Sequence, residues 1–190
     1  MINETFELDT TRYCGRPAEK REDREEACYN FLEKQGVSYF RIDHAPAMTI
    51  ELCHEVEKVL GTKICKNLFL CNRQKTDFYL LLIDGDKIFK TKYLSAQLGC
   101  SRLSFAEGEQ MEELLKVPPG SASVLALLND QEGSVRLVID RSVLEEESFA
   151  CHPCRNTSTL SFSMADLKEK VLPGLKHEYT IVDLPEEDNV

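Results

Sequence analysis

Two apolar runs, Ile64-Cys-Lys-Asn-Leu-Phe-Leu-Cys71 and Phe78-Tyr-Leu-Leu-Leu-Ile83, stand on either side of the polar segment Asn72-Arg-Gln-Lys-Thr-Asp77. Runs of this length and composition, joined by a short polar turn, predict two strands that lie side by side in one sheet. The second run ends at Asp84-Gly85, a dipeptide typical of turns. We therefore place the centre of a β-sheet here.

Helical and strand-like patterns alternate on both sides of this strand pair. The predicted helices cover residues 17–35, 50–60, 91–98 and 108–115, with a last helix that Ser163 and Asp166 cap. The other predicted strands cover residues 37–43, 123–128, 134–140, 159–162 and 178–182. Interleaved elements with hairpin-like pairs in the middle predict an α/β fold, in which helices flank a mixed, curled β-sheet.

The length of 190 residues fits one domain with a full hydrophobic core. We expect an irregular N-terminal arm at residues 1–16, the domain itself at 17–184 and an acidic tail at 185–190. No apolar run approaches the roughly 20 residues that span a bilayer, and the polar start lacks the pattern of a secretion signal. These features predict a cytosolic protein with no membrane partner.

The net charge of −10 is unevenly distributed. Residues 61–95 carry seven basic and three acidic groups, whereas the segments before and after them are acidic. A basic strip on an acidic body can bind phosphates while the body discourages indiscriminate nucleic-acid binding, which argues against a DNA partner. From charge alone, a solvated lysine-rich surface explains the strip equally well.

The segment Ser148-Phe-Ala-Cys-His-Pro-Cys-Arg-Asn-Thr157 concentrates two thiols and an imidazole. A thioredoxin-type dithiol needs its first thiol at a helix N-terminus, but this segment is typical of turns and strands. A structural zinc site normally has four ligands from two paired motifs, and no second Cys-x-x-Cys motif is present. His152 precedes Pro153, which favours an extended backbone at the histidine. The eight scattered cysteines suit reduced thiols better than a disulfide framework.

Two further segments carry candidate chemistry for hydrolysis, although the chain has no Gly-x-Ser-x-Gly nucleophile elbow. The Pro-Gly turn in Pro118-Pro-Gly-Ser-Ala-Ser123 can orient backbone N–H groups toward a developing oxyanion. Lys66 lies within an apolar strand and is expected to point into a wet cleft, because an unpaired charge in the core is costly. Asn67 joins it only if a bulge or the strand end turns both side chains toward one site.

Four segments, taken together in this order, resemble the YbaK/ProX family of aminoacyl-tRNA editing domains. They are His44-Ala-Pro-Ala-Met-Thr49, Lys66-Asn-Leu-Phe-Leu70, Pro119-Gly-Ser-Ala-Ser-Val-Leu-Ala-Leu127 with Asn129-Asp130, and His152-Pro-x-x-Asn156-Thr157. The resemblance covers roughly residues 20–184 and is greatest to the freestanding deacylases that remove alanine from proline tRNA.

This resemblance implies a trans-editing hydrolase for mischarged Ala-tRNA(Pro), related to the editing insertion of bacterial prolyl-tRNA synthetases. Such an enzyme is useful because a site shaped for proline rejects smaller alanine by only about 1–3 kcal/mol. The implied partners are the acceptor end of proline tRNA and, for some members, prolyl-tRNA synthetase. The family implies neither a metal nor another cofactor, since water attacks the ester with help from a ribose hydroxyl.

The resemblance also assigns site residues. Lys66 matches the lysine that holds the tRNA acceptor end, and His152 matches the histidine that lines the amino-acid pocket. Residues Gly120 to Ser123 match the family's glycine loop, whose backbone binds the ester. The implied catalytic residues are Lys66, Gly120, Ser121, Ala122 and His152. The implied substrate-binding residues are Asn67, Ser123, His44 and Asn156. Many relatives have proline four residues after the loop glycine, where this chain has Val124.

Three alternatives remain open at the level of sequence. A deacylase of the same family could act on Cys-tRNA(Pro) or another aminoacyl-tRNA, since pocket size is not readable from sequence. An editing-like domain could bind tRNA or a synthetase without catalysis, and the basic strip fits that function too. A thiol-redox or zinc site at Cys151 and Cys154 is the third alternative.

Overall fold

The computed structural model describes residues 7–46 and 49–186 and contains nine strands within them. The strands are β1 Tyr13–Cys14, β2 Phe40–Asp43, β3 Lys66–Cys71, β4 Phe78–Ile83, β5 Ser104–Phe105, β6 Val135–Asp140, β7 Ser148–Cys151, β8 Ser158–Ser163 and β9 Tyr179–Val182. Ala47 and Met48, which belong to the first family motif, and the ends of the predicted arm and tail lie outside the described residues.

Helices lie between the strands. They are α1 Asp23–Lys34, α2 Ile50–Leu60, α3 Thr91–Leu98, α4 Gly108–Leu115, a 3₁₀ helix Val124–Asn129, α5 Arg141–Leu144, α6 Met164–Asp166, a π-helical turn Leu167–Val171 and α7 Leu172–Leu175. The described part of the chain contains no helix that is long and apolar enough to cross a bilayer.

The predicted strand pair forms the centre of a five-stranded sheet with the order β5-β3-β4-β6-β9. β3 and β4 are antiparallel, with Lys66 opposite Ile83 and Cys71 opposite Phe78, as their sequence predicts. β6 lies parallel to both β4 and β9. The sheet is therefore mixed, and the predicted α/β class is confirmed.

A second, four-stranded antiparallel sheet has the order β1-β2-β8-β7. The main hydrophobic core includes residues of both sheets, among them Leu80 and Leu82 from β4 and Leu160 and Phe162 from β8. An isolated parallel bridge between Ile64 and Ala150 joins the sheets. This bridge brings the start of β3 beside the end of β7.

The caps predicted for α2 are confirmed. The Thr49 side chain accepts a hydrogen bond from the Leu52 N–H, and Gly61 ends the helix in the left-handed conformation with φ +72°. The predicted boundaries of α3 and α4 are also those of the structure.

The first helix begins at Asp23 rather than at Pro17. The reason lies in the polar contacts of the preceding turn, where the Arg21 N–H donates to the Glu26 carboxylate (2.8 Å) and the Arg21 guanidinium pairs with Asp43 (2.9 Å). These bonds hold the lead-in residues in a non-helical path.

Two other predictions are wrong. Residues 123–128, predicted as a strand, form most of the 3₁₀ helix, whose N-cap is Ser123. Val124 to Leu127 are buried on all sides, and a continuous apolar run of this kind has no period that separates helix from strand. The predicted irregular arm contains β1, which pairs with β2, and a bridge from Leu8 to His44.

Candidate active site

A cavity of about 300 Å³ lies where the two sheets meet. Five of the residues predicted for the site line it: Lys66, Asn67, Gly120, Ala122 and His152. The remaining lining residues are Cys53, His54, Glu57, Ile64, Cys65, Leu68, Gly85 and Met111. The five predicted residues, which come from three segments that are distant in the sequence, therefore lie around one cavity.

The fold explains why Lys66 and Asn67 both face this cavity although strand residues alternate between faces. They are the first two residues of β3, and the neighbouring strand β5 pairs only with Leu70 and Cys71. On the side facing away from β4, the start of β3 is thus a sheet edge with no partner strand among the described residues. Side chains from both faces, and the strand edge itself, can border the same space.

The Lys66 ammonium donates to the backbone carbonyl of Lys87 (Nζ to O 2.9 Å). Within residues 7–46 and 49–186 it contacts no carboxylate. By contrast, Lys63 pairs with Asp84 and Glu146, and Lys87 pairs with buried Asp140. A partly buried ammonium that no carboxylate neutralises makes this wall of the cavity attractive to an anion or an oxygen-rich group.

Asn67, which lines the cavity, has an acceptor without a hydrogen-bond partner among the described residues. Its Nδ2 donates to the Cys65 carbonyl (3.2 Å), whereas its Oδ1 is buried and has no hydrogen-bond partner among the described residues. The Phe69 carbonyl accepts from the Ala106 N–H at the β5 side (3.0 Å). Asn67, two residues earlier, therefore presents its backbone N–H and C=O to the same, open edge.

The glycine loop forms a tight turn in which the Ser121 N–H donates to the Pro118 carbonyl (3.0 Å) and Gly120 has φ +84°. A positive φ at the third residue is the signature of a type II turn, with proline favoured at the second. The Ser121 N–H is therefore already hydrogen-bonded within the turn and cannot donate to a substrate. The N–H groups of Gly120 and Ala122 make no hydrogen bond in the described part of the chain, so they are the candidate oxyanion donors.

His152 is held as a neutral imidazole. Its Nδ1 lies 2.9 Å from the Ser158 carbonyl, which can only accept, so Nδ1 carries the proton and Nε2 the lone pair. The pKa of His152 is lowered to about 4, mainly by burial and to a smaller extent by the nearby His44, while the Ser158 hydrogen bond opposes the shift. A group with so low a pKa is a weak base at neutral pH.

The other predicted site residues lie outside the cavity lining. The Ser121 hydroxyl accepts from the Asn156 N–H (3.2 Å), and the Ser123 hydroxyl donates to the His152 carbonyl (2.6 Å). The His44 ring lies 6.1 Å from the His152 ring, and its Nε2 accepts from the Thr159 hydroxyl (2.8 Å). These contacts brace the wall of the cavity from behind. The substrate-binding roles predicted for Ser123, His44 and Asn156, and the catalytic role predicted for Ser121, stay predictions.

Several lining residues escaped prediction because their sequence pattern is that of a core. Met111 belongs to the apolar face of α4, and Cys65 is one apolar residue among many in its run. Glu57 accepts a hydrogen bond from the Ile64 N–H (2.7 Å) and thereby anchors α2 to the lead-in of β3. For Cys65, the one sequence feature that could have indicated a place in the lining is that it directly precedes Lys66.

The thiols of the Cys-His-Pro-Cys segment are buried. Cys151 is the last residue of a strand rather than the first of a helix, and burial raises its thiol pKa. Cys154 lies against Cys28, with the two sulfur atoms 3.4 Å apart. Among the described residues no three His, Cys, Asp or Glu side chains are grouped in a way that could hold a metal ion. The geometry thus favours packing thiols over a reactive dithiol.

A second, more open depression of about 790 Å³ borders α2 and shares His54 and Glu57 with the first cavity. Its lining contains two lysines, Lys58 and Lys63, and five carboxylates, those of Glu51, Glu55, Glu57, Glu146 and Glu147. So many carboxylates would repel a phosphate backbone, whereas the smaller cavity has an unneutralised lysine. The smaller cavity is therefore the candidate active site.

The chain is similar to known proteins of one family. The sequence model of the aminoacyl-tRNA editing domain matches residues 44–170. The chain is 30% identical over 162 residues to the prolyl-tRNA editing protein ProX of Acetoanaerobium sticklandii, with 85% of this chain and 98% of that protein covered. It is 31% identical over 153 residues to prolyl-tRNA synthetase associated domain-containing protein 1 of Danio rerio, with 80% of each chain covered.

A solved structure of a candidate trans-editing enzyme for prolyl-tRNA synthetase superposes with a TM-score of 0.65 at 17% identity, covering 88% of this chain and 100% of that one. At this identity the likeness concerns the fold. The match of the family model to most of the chain, together with the full-length similarity to ProX, identifies this protein as a member of the aminoacyl-tRNA editing domain family, a family of deacylases.

Proposed function

We propose that the protein is a cytosolic trans-editing enzyme that hydrolyses the ester of mischarged Ala-tRNA(Pro). The observation that carries this proposal is the composition of the cavity, in which the unneutralised Lys66 faces the same 300 Å³ space as the glycine loop and neutral His152. The similarity to ProX, a prolyl-tRNA editing protein, supports the choice of tRNA.

The described contacts suggest how the substrate lies. The Lys66 ammonium has hydrogen-bonding capacity left for a phosphate or ribose oxygen of the terminal nucleotide. The buried Oδ1 of Asn67 lacks a donor, and the α-ammonium of the aminoacyl group can supply one. This arrangement leaves the ester carbonyl facing the free N–H groups of Gly120 and Ala122.

Hydrolysis then needs only positioning and oxyanion stabilisation. Water adds its oxygen to the carbonyl carbon, and the amides of Gly120 and Ala122 stabilise the charge that develops on the carbonyl oxygen. The ester C–O bond breaks, the ribose oxygen takes a proton, and free alanine and tRNA leave. Because the pKa of His152 is about 4, we assign proton transfer to the neighbouring ribose hydroxyl and water rather than to this ring.

Selectivity follows from size. His152 and Met111 stand on the walls of a cavity at the small end of the range for ligand sites, which is roughly 300–1,000 Å³. We propose that the walls formed by His152 and Met111 admit the side chain of alanine and exclude the larger ring of proline. Such exclusion supplies the discrimination that a proline-shaped synthetic site lacks.

The test is a deacylation panel with Ala-, Cys-, Ser- and Pro-tRNA(Pro), each measured as a first-order loss of ester above the rate without enzyme. The expected result is fast release of alanine and sparing of proline. Fast release of cysteine with sparing of alanine would instead make the protein a Cys-tRNA(Pro) deacylase. Binding of the tRNAs without release of any amino acid would replace the enzyme by a binding module.

A further inference from the structure

The two most exposed large apolar side chains of the described residues lie near the mouth of the cavity. Phe105 is 60% exposed and Ile88 is 59% exposed. Phe89, which follows Ile88 in the chain, packs against Phe105 with the two rings nearly perpendicular at a centroid distance of 6.1 Å. We call Ile88, Phe89 and Phe105 the aromatic platform. Apolar groups exposed in this way mark surfaces that a partner covers.

Two chain segments connect the platform to the cavity. Lys87, whose carbonyl accepts the Lys66 hydrogen bond, directly precedes Ile88. On the other side, Ala106 follows Phe105 and donates to the Phe69 carbonyl at the edge of β3. The platform is thus attached to the same strand edge that borders the site.

The platform also lies on the Lys66 face of the sheet. Phe105 is the direct cross-strand partner of Leu70, so their side chains share a face. Lys66, Leu68 and Leu70 alternate onto that face along β3, and Leu68 lines the cavity. Four residues of strand put the platform about 13 Å from Lys66, which is within reach of the nucleotides next to the terminal adenosine.

Two exposed cations lie close to the platform residues in the sequence. Lys92 and Arg102 are exposed and have no carboxylate partner among the described residues, and they follow or precede the platform residues closely in sequence. The nearby carboxylate of Glu107 is engaged by Lys75 (2.7 Å). Exposed aromatic faces beside unpaired cations fit single-stranded nucleic acid, whose bases stack while its phosphates are neutralised.

We propose that the aromatic platform stacks the unpaired bases that precede the terminal adenosine of the tRNA. This proposal rests on the proposed function, because it assumes that the aminoacylated end enters the cavity. It adds a second contact by which the enzyme holds the single-stranded end of tRNA and distinguishes it from a free aminoacyl-adenosine. Phe105 is the positioning residue that contributes most, since it is the most exposed ring.

The test compares Phe105→Ala, Phe105→Tyr and the control Tyr179→Ala on two substrates. Tyr179 is 41% exposed on β9, at the opposite edge of the same sheet. Loss of base stacking is expected to lower kcat/KM for Ala-tRNA(Pro) about tenfold in Phe105→Ala, mainly through KM. Hydrolysis of the alanyl ester of adenosine should be unchanged, Phe105→Tyr should restore activity, and Tyr179→Ala should have no effect.

A binding measurement keeps this inference separate from the deacylase proposal. Wild-type protein should bind uncharged proline tRNA more tightly than the same tRNA trimmed of its last three nucleotides, and Phe105→Ala should lose that preference. If the wild-type protein deacylates none of the tRNAs, the proposed function fails. The preference for intact over trimmed tRNA still tests whether the platform binds the unpaired bases. Equal losses of kcat/KM in Phe105→Ala on Ala-tRNA(Pro) and on the alanyl ester of adenosine would contradict the stacking role of the platform. So would a change of oligomeric state in Phe105→Ala, which would assign the surface to a second copy of the chain.

Discussion

Ile64 and Ala150 form a parallel bridge between the two sheets, and this contact determines where the candidate active site lies. Two residues after the bridge on each side come Lys66 and His152, which both line the cavity. A parallel bridge aligns the two chains in the same direction, so residues at equal distances beyond it come side by side. The two motifs that carry the chemistry thus meet although 86 residues separate them in sequence.

Gly85 makes this junction possible, because a Cβ atom placed on it would lie 2.7 Å from the Ile64 carbonyl oxygen. Gly85→Ala should therefore push the lead-in of β3 away and displace Lys66. We expect a lower Tm and a clear loss of deacylation, measured by thermal unfolding and by release of alanine.

Gly133→Ala is the control for this variant, since no heavy atom lies within 4 Å of a Cβ at that position and only its positive φ is strained. Its activity should be retained. Normal activity in Gly85→Ala would show that the close approach of these two segments is not needed for the site.

Ser123 braces the His152 segment from a fully buried position. Its hydroxyl donates to the His152 carbonyl and accepts from the Leu125 N–H, so Ser123→Ala removes a cap and leaves a buried carbonyl without a donor. The free energy of unfolding should fall by about 1–3 kcal/mol in urea titrations. The control is Ser101→Ala at an exposed position. If Ser123→Ala lowered the free energy of unfolding by no more than this control, Ser123 would not stabilise the His152 segment.

The neutral state of His152 predicts how stability depends on pH. Its pKa is about 4 in the folded protein and 6.5 in a model peptide, so between these values the unfolded chain binds a proton that the folded chain does not. The contribution of His152 to the free energy of unfolding is therefore complete above pH 6.5 and is lost as the pH falls toward 4. We expect a loss of about 1–3 kcal/mol over that range.

His152→Gln should make the stability profile flatter in this pH window. The pKa of His44 is also lowered by burial, so the comparison is the difference between the two proteins rather than the slope of either one. Parallel profiles for the variant and wild type would mean that His152 is not held neutral by the fold.

The two buried thiols of the Cys-His-Pro-Cys segment are expected to act as packing groups. Cys151→Ala with Cys154→Ala should lower the Tm, because each removes a buried sulfur atom, but should leave most of the deacylation activity. The measurement is alanine release under reducing conditions. Abolished activity in a folded double variant would return a chemical role to these cysteines.

The sequence predicted local features with strong signals and missed those that depend on burial. The β3–β4 hairpin, Thr49 as a cap, and the bounds of α3 and α4 are as predicted, since each has a clear period or end signal. The run after Ser123 folds as a 3₁₀ helix because it is apolar on every side and carries no period.

For the site, the sequence motifs located Lys66, Asn67, Gly120, Ala122 and His152, and the structure brings all five to one cavity. The motifs could not show which of their residues line the cavity and which hold the lining residues in place from behind. Ala122 lines the cavity, whereas its neighbours Ser121 and Ser123 turn their hydroxyls toward the supporting segments behind it, and the turn at Gly120 sets these directions. Met111 enters the lining through tertiary packing, which no local pattern records.

The most direct test of this site is the rate of alanine release from Ala-tRNA(Pro) by wild type, Lys66→Ala and Lys63→Ala at equal enzyme concentrations. Lys63 is a close neighbour, but it is exposed and paired with carboxylates, so its loss should have little effect. Loss of the unneutralised Lys66 should reduce the rate by about 10- to 100-fold, the value of one or two charge-assisted hydrogen bonds. Full activity in a folded Lys66→Ala protein would contradict the assignment of this cavity as the deacylation site.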